Sequence, residues 1–369
     1  MHVIWLELTA FRSYEHLEWR PDSGVNLLVG PNGAGKTNAL EAIVYAATLK
    51  SFRGVTDEGL VADGASHGYV RTGVDRGPEV GEGLIEIEIP RSGPRRTQVD
   101  RQRLRRTSDL IEVIRTVAFL PEDLDIVKRG PAGRRDVLDD LGSQLRPSAA
   151  ADIAEYERAL RQRNAFLKIG APDDVTLAVW DERLSQAGGR VMARRAMTMA
   201  ELKPHLEEAY RTISGSSVTV GFDYGSEWGG SVDPAVTAGE QSAVLAEALA
   251  ERLRHDRERR VTTVGPHRDD PVLVLDGHDV RVHGSQGEQR TTALALRLSA
   301  HRAVADATGI APILLLDDVF SELDESRAER LASSLPVVQT FITSARPEDV
   351  PLRGVRWKVG GGRIEPEAA

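Results

Sequence analysis

The chain contains no cysteine. That excludes a disulfide framework, thiolate zinc sites and cysteine nucleophiles, and it fits a reducing cytoplasm. No stretch reaches the ~20 apolar residues of a membrane span. No signal-peptide core is found near the N-terminus, where Glu7 and Arg12 interrupt the apolar residues. These absences predict a cytoplasmic location and no membrane partner. An excess of positive charge is also missing. Lys and Arg number 47 against 56 Asp and Glu, a net charge of −9. Proteins that coat nucleic acid indiscriminately are usually basic. If this chain binds DNA, a local patch must do so against an acidic background, which makes binding easier to gate. Heptads are not sustained over many turns, so a long coiled coil is not expected.

What is present suffices for two domains and a sizeable core: 369 residues, 41% of them hydrophobic. "VIWLEL" (3–8) reads as an edge-like strand and "VNLLVG" (25–30) as a buried one. "TNALEAIVYAATL" (37–49) has apolar residues at helical spacing, and "GLIEIEIP" (83–90) alternates as a half-buried strand does. The turn "RSGP" then predicts a returning hairpin. From about Pro131 long charged stretches take the helical period, which predicts a helical domain over 125–213. A strand "SVTVGFDY", a Gly/Ser/Pro loop over 223–240 and a helix over roughly 241–258 follow. The end returns to α/β: the strand "PVLVLDG", the helix "QGEQRTTALALRLSAHRAVADA", and the strands "PILLLDD" and "PVVQTFITSA".

Gly30-x-x-x-x-Gly35-Lys36-Thr37 matches the P-loop pattern between a strand and a helix. A triphosphate must be approached by several backbone N–H groups at once, and side chains would obstruct them. Gly30, Gly33 and Gly35 remove side chains and permit positive φ. The helix start adds partial positive charge. In this chemistry Lys36 reaches the β- and γ-phosphates of ATP and the Thr37 hydroxyl ligates Mg²⁺. Gly30, Pro31, Asn32, Gly33, Ala34, Gly35, Lys36, Thr37 and Asn38 are the expected nucleotide-binding residues.

"PILLLDDVFSELDESR" (312–327) supplies the natural partner. An apolar strand ending in an acid sets a carboxylate at the C-terminal edge of a sheet, where ligands of α/β folds sit. Asp317 is the candidate Walker B aspartate for Mg²⁺. Asp318 follows where a general base could orient the attacking water. With Lys36 they form the expected catalytic set. Lys36 and Asp317 lie near opposite ends of the chain, so the middle must be an insertion and the two ends one domain. "HGSQGEQRTTALAL" (283–296) adds a third element. Ser285 before a helix is an anion site in principle; Ser285 and Glu288 are equally in the spacing of an ordinary capping box.

The order P-loop, S-Q-G-E-Q, apolar strand with D-D, then S-E-L-D resembles the ABC-type ATPases of chromosome maintenance. It is closer still to the RecF family of bacterial recombination mediators. "FRSYEHLEW" (11–19), "GPNGAGKTNALEAI", "KSFRG" (50–54), "FLPEDLDIVKRGPAGRR" (119–135), "GPHRDD" (265–270), "SQGEQRTTALAL" and "PILLLDDVFSELD" stand in that family's order. The resemblance is weakest around 60–100 and 215–255. It implies an α/β fold: an ABC-type P-loop ATPase head built from both chain ends (1–124 and 256–369), with an inserted mainly α-helical lobe (125–255). By resemblance Ser285, Gln286, Gly287, Glu288 and Gln289 form the signature, acting in trans on ATP held by a second copy. Ser321, Glu322, Leu323 and Asp324 would be the D-loop at the dimer seam. The resemblance further implies an ATP-dependent homodimer on single-stranded, gapped or single-strand/double-strand junction DNA. It implies work with RecR and RecO to load RecA, support of SOS induction, and weak, DNA-stimulated ATP hydrolysis that controls release. Two positions depart from the wider ABC pattern. Asp318 stands where transporter ATPases usually carry glutamate, and Ser344 stands at the switch position instead of histidine. No Q-loop glutamine is identifiable; the region around Pro121 to Asp123 is the candidate.

"RSGPRRTQVDRQRLRR" (91–106) carries seven arginines and one aspartate. As a returning strand it would line Arg101, Arg103 and Arg105 on one face for DNA phosphates. It reads equally as a solvated edge that deters aggregation. Arg134 and Arg135, and Arg194 and Arg195, are weaker DNA candidates and read more readily as a plain solvated face. His267, His278 and His283 do not form a metal set, and "HRDD" reads as structural or nucleotide-proximal. Two other functions share the P-loop: the ATPase subunit of a transporter and a small-molecule kinase. The late signature and long insertion disfavour the first; a kinase would need neither signature nor D-loop.

Overall fold

A computed structural model of the chain describes residues 1–169 and 173–367. Along the chain come β1 (His2–Phe11), β2 (Tyr14–Trp19), β3 (Val25–Val29), α1 (Lys36–Thr48), β4 (His67–Asp75), β5 (Glu82–Pro90), β6 (Arg96–Val99), β7 (Gln102–Arg103) and β8 (Thr116–Phe119). Then follow α2 (Leu124–Lys128), α3 (Pro131–Leu145), α4 (Ser148–Leu167), α5 (Asp174–Ser214), β9 (Val220–Gly225), α6 (Ala238–Arg259), β10 (Asp270–Leu275), β11 (His278–Asp279) and α7 (Val280–His283). The chain finishes with α8 (Gln286–Thr308), β12 (Ile313–Asp317), α9 (Glu325–Ser334), β13 (Thr340–Ser344), β14 (Val355–Gly360) and β15 (Arg363–Pro366).

Two compact units result: 1–123 with 212–214 and 304–369, and 124–211 with 215–303. The first unit holds two six-stranded sheets, β2-β1-β4-β5-β6-β7 and β15-β14-β3-β13-β12-β8. The first sheet is antiparallel. In the second, β14, β3, β13, β12 and β8 run parallel and β15 returns antiparallel. Its central strands are apolar on both faces, as parallel strands covered on both sides must be; all five residues of β12 are buried. Leu40, Ile43 and Tyr45 on α1 are fully enclosed with residues of both sheets. Enclosure of each such side chain contributes about 1.5–3 kcal/mol. That packing fixes the helix whose first turn carries Lys36 and Thr37.

The structure differs from the sequence reading at three places. β1 is no edge: β2 and β4 flank it, because the tight turn at Arg12 folds β2 back along it. The arginine-rich hairpin returns only to Val99. Asp100 and Arg101 then turn with φ of 50° and 63°, so Arg101 and Arg103 do not share one continuous strand with Arg105. Finally, residues 256–303 belong to the second unit, whereas the ATPase head was expected to resume at 256. The reason is pairing. β10 forms a three-stranded sheet with β9 and β11, and Asp270 at its start is bound by Arg134 of α3.

Several polar side chains of the second unit are buried against partners of opposite character. Arg195 is bound bidentately by Asp139 and donates to the Pro266 carbonyl. Tyr224 and Trp228 donate to Asp269. His267 Nε2 faces the Thr262 carbonyl at 3.2 Å and Nδ1 faces the Tyr156 hydroxyl at 2.6 Å. A carbonyl can only accept, so the proton sits on Nε2 and Tyr156 donates to Nδ1. Burial pushes His267 down to about 4, with a weaker opposing effect of the Thr262 contact.

Candidate nucleotide site and its flanking surfaces

The P-loop lies between β3 and α1, at the C-terminal ends of the parallel strands. Gly33 and Gly35 have φ of 80° and 107°, conformations only glycine adopts freely. A Cβ on Gly33 would meet nothing within 4 Å, so that face is open to a ligand. Gly30 needs its missing side chain for another reason. Its φ is not positive, and a Cβ there would fall 2.3 Å from the Val359 carbonyl oxygen. The C-terminal hairpin β14–β15 therefore backs the loop, and the first glycine is demanded by packing.

Lys36 is 7% exposed. Its ammonium donates to the carbonyls of Gly30 at 2.6 Å and Pro31 at 3.1 Å. Burial lowers its proton affinity; the charges of Asp318 and then Asp317 oppose that. The Thr37 hydroxyl donates to Asp317 Oδ1 at 2.9 Å, across 280 residues of sequence. Thr343, at the end of β13, donates to the same oxygen at 2.6 Å. Burial pushes the Asp317 carboxyl above the ordinary range, opposed by the bonds from Thr343 and Thr37. Asp318 takes φ of 53°, and its N–H donates to the Thr343 carbonyl and hydroxyl. Its Oδ1 is buried with no hydrogen-bond partner.

These groups fit Mg²⁺. Thr37 Oγ1 and Asp317 Oδ1 stand side by side, 2.9 Å apart, and both are hard oxygen ligands of the kind Mg²⁺ takes. A buried oxygen left unpaired, as on Asp318, is costly unless a ligand or water completes it. Among the described residues no group of three or more His, Asp or Glu could hold a metal ion. The site thus resembles those in which phosphate and water oxygens complete the shell.

Sequence reasoning did not foresee Thr343. Ser344, the residue singled out, donates instead to the Arg346 carbonyl in its own turn. Pro121–Asp123 forms a 3-10 turn after β8, and β8 pairs with β12 so that Phe119 lies beside Leu316. The turn therefore follows the strand next to Asp317. Asp123 accepts from the Leu120 N–H at 2.9 Å.

The D-loop candidates Ser321, Glu322 and Asp324 are exposed and Leu323 half-buried. Ser321 donates back to the Asp318 carbonyl and Asp324 caps α9. In the second unit, Ser285 and Gln286 are exposed at the start of α8, with Gly287 and Glu288 half-buried. Ser285 and Glu288 form the reciprocal capping box. Gln289 is buried, its amide donating to the carbonyls of Val280, Arg281 and Gly284. Its amide nitrogen braces the turn that precedes α8.

The arginine candidates separate clearly. Arg101, Arg103 and Arg105 are exposed, and none has an ion-pair partner among the described residues. Arg134 is 4% exposed and its donors are taken by Asp270 and the carbonyls of Ile126 and Arg129. Arg135 donates to the Asp269 carbonyl, and burial lowers its proton affinity. Arg194 is held by Asp152 and Ser148. Arg134 and Arg195 are thus structural, and form neither an exposed DNA contact nor a solvated face.

A parallel sheet with a P-loop, a strand-end aspartate pair and a later exposed S-Q-G-E segment defines an ABC-type P-loop ATPase head with a mainly helical second unit. Comparison with known proteins agrees. The family described as RecF/RecN/SMC N terminal domain matches residues 2–351. "DNA replication and repair protein RecF" of Frankia alni is 41% identical, with 99% of each chain covered. The protein of that name from Streptomyces avermitilis is 39% identical, covering 99% of this chain and 100% of that one. A solved structure of the "recombination mediator protein RecF-ATP in RecFOR pathway" superposes with a TM-score of 0.92 at 32% identity, covering 100% of this chain and 98% of the other. An Smc head bound to part of ScpA shares the fold, at a TM-score of 0.57 and 16% identity. The chain belongs to the RecF family.

Proposed function

We propose that this protein is an ATP-switched DNA-binding ATPase of recombinational repair and replication-fork maintenance. The observation that carries the reading is the meeting of Thr37 and Asp317, 280 residues apart, beside Lys36 and an open glycine loop. Each chain end supplies half of a phosphate and cation site. The relatives' printed names support the DNA repair context, and the ATP-containing relative supports ATP as the nucleotide.

In this reading the backbone N–H groups of Gly33 to Lys36 and the Lys36 ammonium bind the triphosphate. Lys36 exchanges its present carbonyl partners for phosphate oxygens. Thr37 and Asp317 would hold Mg²⁺, which supplies charge neutralisation at the phosphates. Thr343 orients the Asp317 carboxylate. Asp318 holds the attacking water and accepts its proton; its shorter side chain makes turnover slow. Ser285, Gln286, Gly287 and Glu288 of one copy close over the nucleotide of another, and Ser321 to Asp324 line the seam. The resulting homodimer holds gapped or junction DNA, with Arg101, Arg103 and Arg105 on phosphates. It acts with RecR and RecO to load RecA and supports SOS induction, and weak DNA-stimulated hydrolysis releases it. The medium is the cytoplasm; among the described residues no helix is long and apolar enough to cross a membrane.

Sedimentation with Mg-ATP, with Mg-ADP, and with Mg-ATP plus gapped DNA tests this. The expected result is a dimer with ATP that joins DNA and a monomer with ADP. A monomer in all three, or a dimer that ignores the nucleotide, would favour the kinase or another reading.

A further inference from the structure

Three sequence segments, "FRSY", "ALEA" and "KSFRG", have no part in phosphate or cation chemistry as described so far. They meet at Glu41. This carboxylate lies on α1, one turn beyond Thr37, and is fully buried. Arg12 grips it bidentately: Nε donates to Oε2 and Nη2 to Oε1, both at 2.8 Å. Arg12 sits in the turn between β1 and β2 with φ of 52°, and its remaining nitrogen donates to the Gly59 carbonyl at 3.0 Å. The Ser51 hydroxyl donates to Glu41 Oε1 at 2.5 Å.

From Ser51 the connection closes into a ring. The Arg53 N–H donates to Ser51 Oγ at 3.1 Å, and the Arg53 guanidinium donates to Asn38 Oδ1 at 3.0 Å. Asn38 Nδ2 donates to Ser13 Oγ at 2.8 Å, and Ser13 follows Arg12. Arg12, Ser13, Asn38 and Arg53 line a pocket of about 280 Å³. Arg53 uses one nitrogen on Asn38; among the described residues its other side-chain donors have no partner. Asn38 follows Thr37 directly, so this contact sets Arg53 against the first turn of α1.

A buried carboxylate survives only when its charge is paired and its lone pairs are used. Here both pairings are with segments outside α1. Glu41 therefore converts the rigid position of α1 into a fixed position for the 51–53 segment. We propose that Glu41 is a positioning residue for the nucleotide site, holding Ser51 and Arg12 so that the remaining donors of Arg53 are presented beside Asn38, at the start of α1. This rests on the nucleotide-site reading above and adds to it how the second cation at that site is held in place.

The test is the affinity of the full-length protein for Mg-ATPγS, measured by titration calorimetry on Glu41→Gln, Arg53→Ala and the double variant. Glutamine keeps the volume of Glu41 but turns an N–H₂ toward Arg12. Each single change is expected to weaken binding about tenfold, as loss of a charge-assisted contact does, and the double change no further. Full affinity in Glu41→Gln, or losses that multiply in the double variant, would overturn the proposal. Should Glu41→Gln not fold, Ser51→Ala decides. It spares the Arg12–Glu41 pair, and we expect roughly threefold weaker binding with an unchanged melting temperature; unchanged affinity there would also overturn it. Lys36→Ala reads the underlying site separately. Retained binding in that variant would defeat the nucleotide-site reading itself, whereas its loss beside a normal Glu41→Gln would defeat only the role of Glu41.

Discussion

The two units bury the same kinds of side chain and use them differently. In the second unit Arg134, Arg195 and His267 have their polar groups matched by Asp270, Asp139, Tyr156 and nearby carbonyls. At the nucleotide site of the first unit Asp318 keeps an unpaired buried oxygen, Arg53 has donors without a partner among the described residues, and Gly33 faces open space. The filled groups named here brace the fold; the open ones surround the glycine loop. The contrast also explains why arginines that look alike in sequence divide into struts and candidate contacts.

Lys36→Ala should break the open side most severely, weakening ATP binding about a hundredfold, since an anion loses its buried cationic partner. Equilibrium titration with Mg-ATPγS measures it; an effect under threefold would remove Lys36 from the site. Asp318→Asn should keep nucleotide binding and lower steady-state hydrolysis about a hundredfold. Unchanged hydrolysis would mean that another group handles the water.

On the filled side, Arg195→Ala should cost about 3–5 kcal/mol of stability, because it strands Asp139 without its cation. Urea unfolding reads this, and the salt dependence of DNA binding should stay as it was. A weaker effect on the same unit comes from pH. The folded His267 titrates at about 4 against about 6.5 when unfolded. Above 6.5 both states are neutral there and stability is complete. As pH falls, the unfolded state takes the proton first, so stability declines through the interval down to about 4, by roughly 3 kcal/mol. Urea midpoints at pH 7 and pH 4.5 should differ more for the natural protein than for His267→Gln; equal differences would place the pH sensitivity elsewhere.

The smallest expected change concerns the exposed arginines. Replacing Arg101, Arg103 and Arg105 with alanine should reduce the slope of log affinity against log salt by up to about 2.7, if each meets one phosphate. An unaltered slope removes the hairpin from the DNA surface.

Much of the candidate site's local structure was legible because its signals are local. The glycine spacing, the apolar strand ending at Asp317 and the helical period after Lys36 each occupy one short stretch. The inserted middle followed from a single topological demand, that two strands far apart in sequence share a sheet. What could not be read was set by contacts across long separations. Nothing near Gly30 announces the Val359 carbonyl that excludes a side chain there. Nothing near Arg134 announces Asp270, which lies 136 residues on. The period-two reading of Arg101 to Arg105 failed because Asp100 and Arg101 adopt positive φ, a conformation that residues other than glycine signal poorly.

The central claim is that Ser285 of one copy completes the nucleotide site of another. Mixing Lys36→Ala protein with Ser285→Arg protein tests it directly, because a mixed dimer contains one site with both defects and one site with neither. The account predicts that the equimolar mixture hydrolyses ATP faster than the two variants measured apart. A mixture no faster than the sum of its separate components would contradict it.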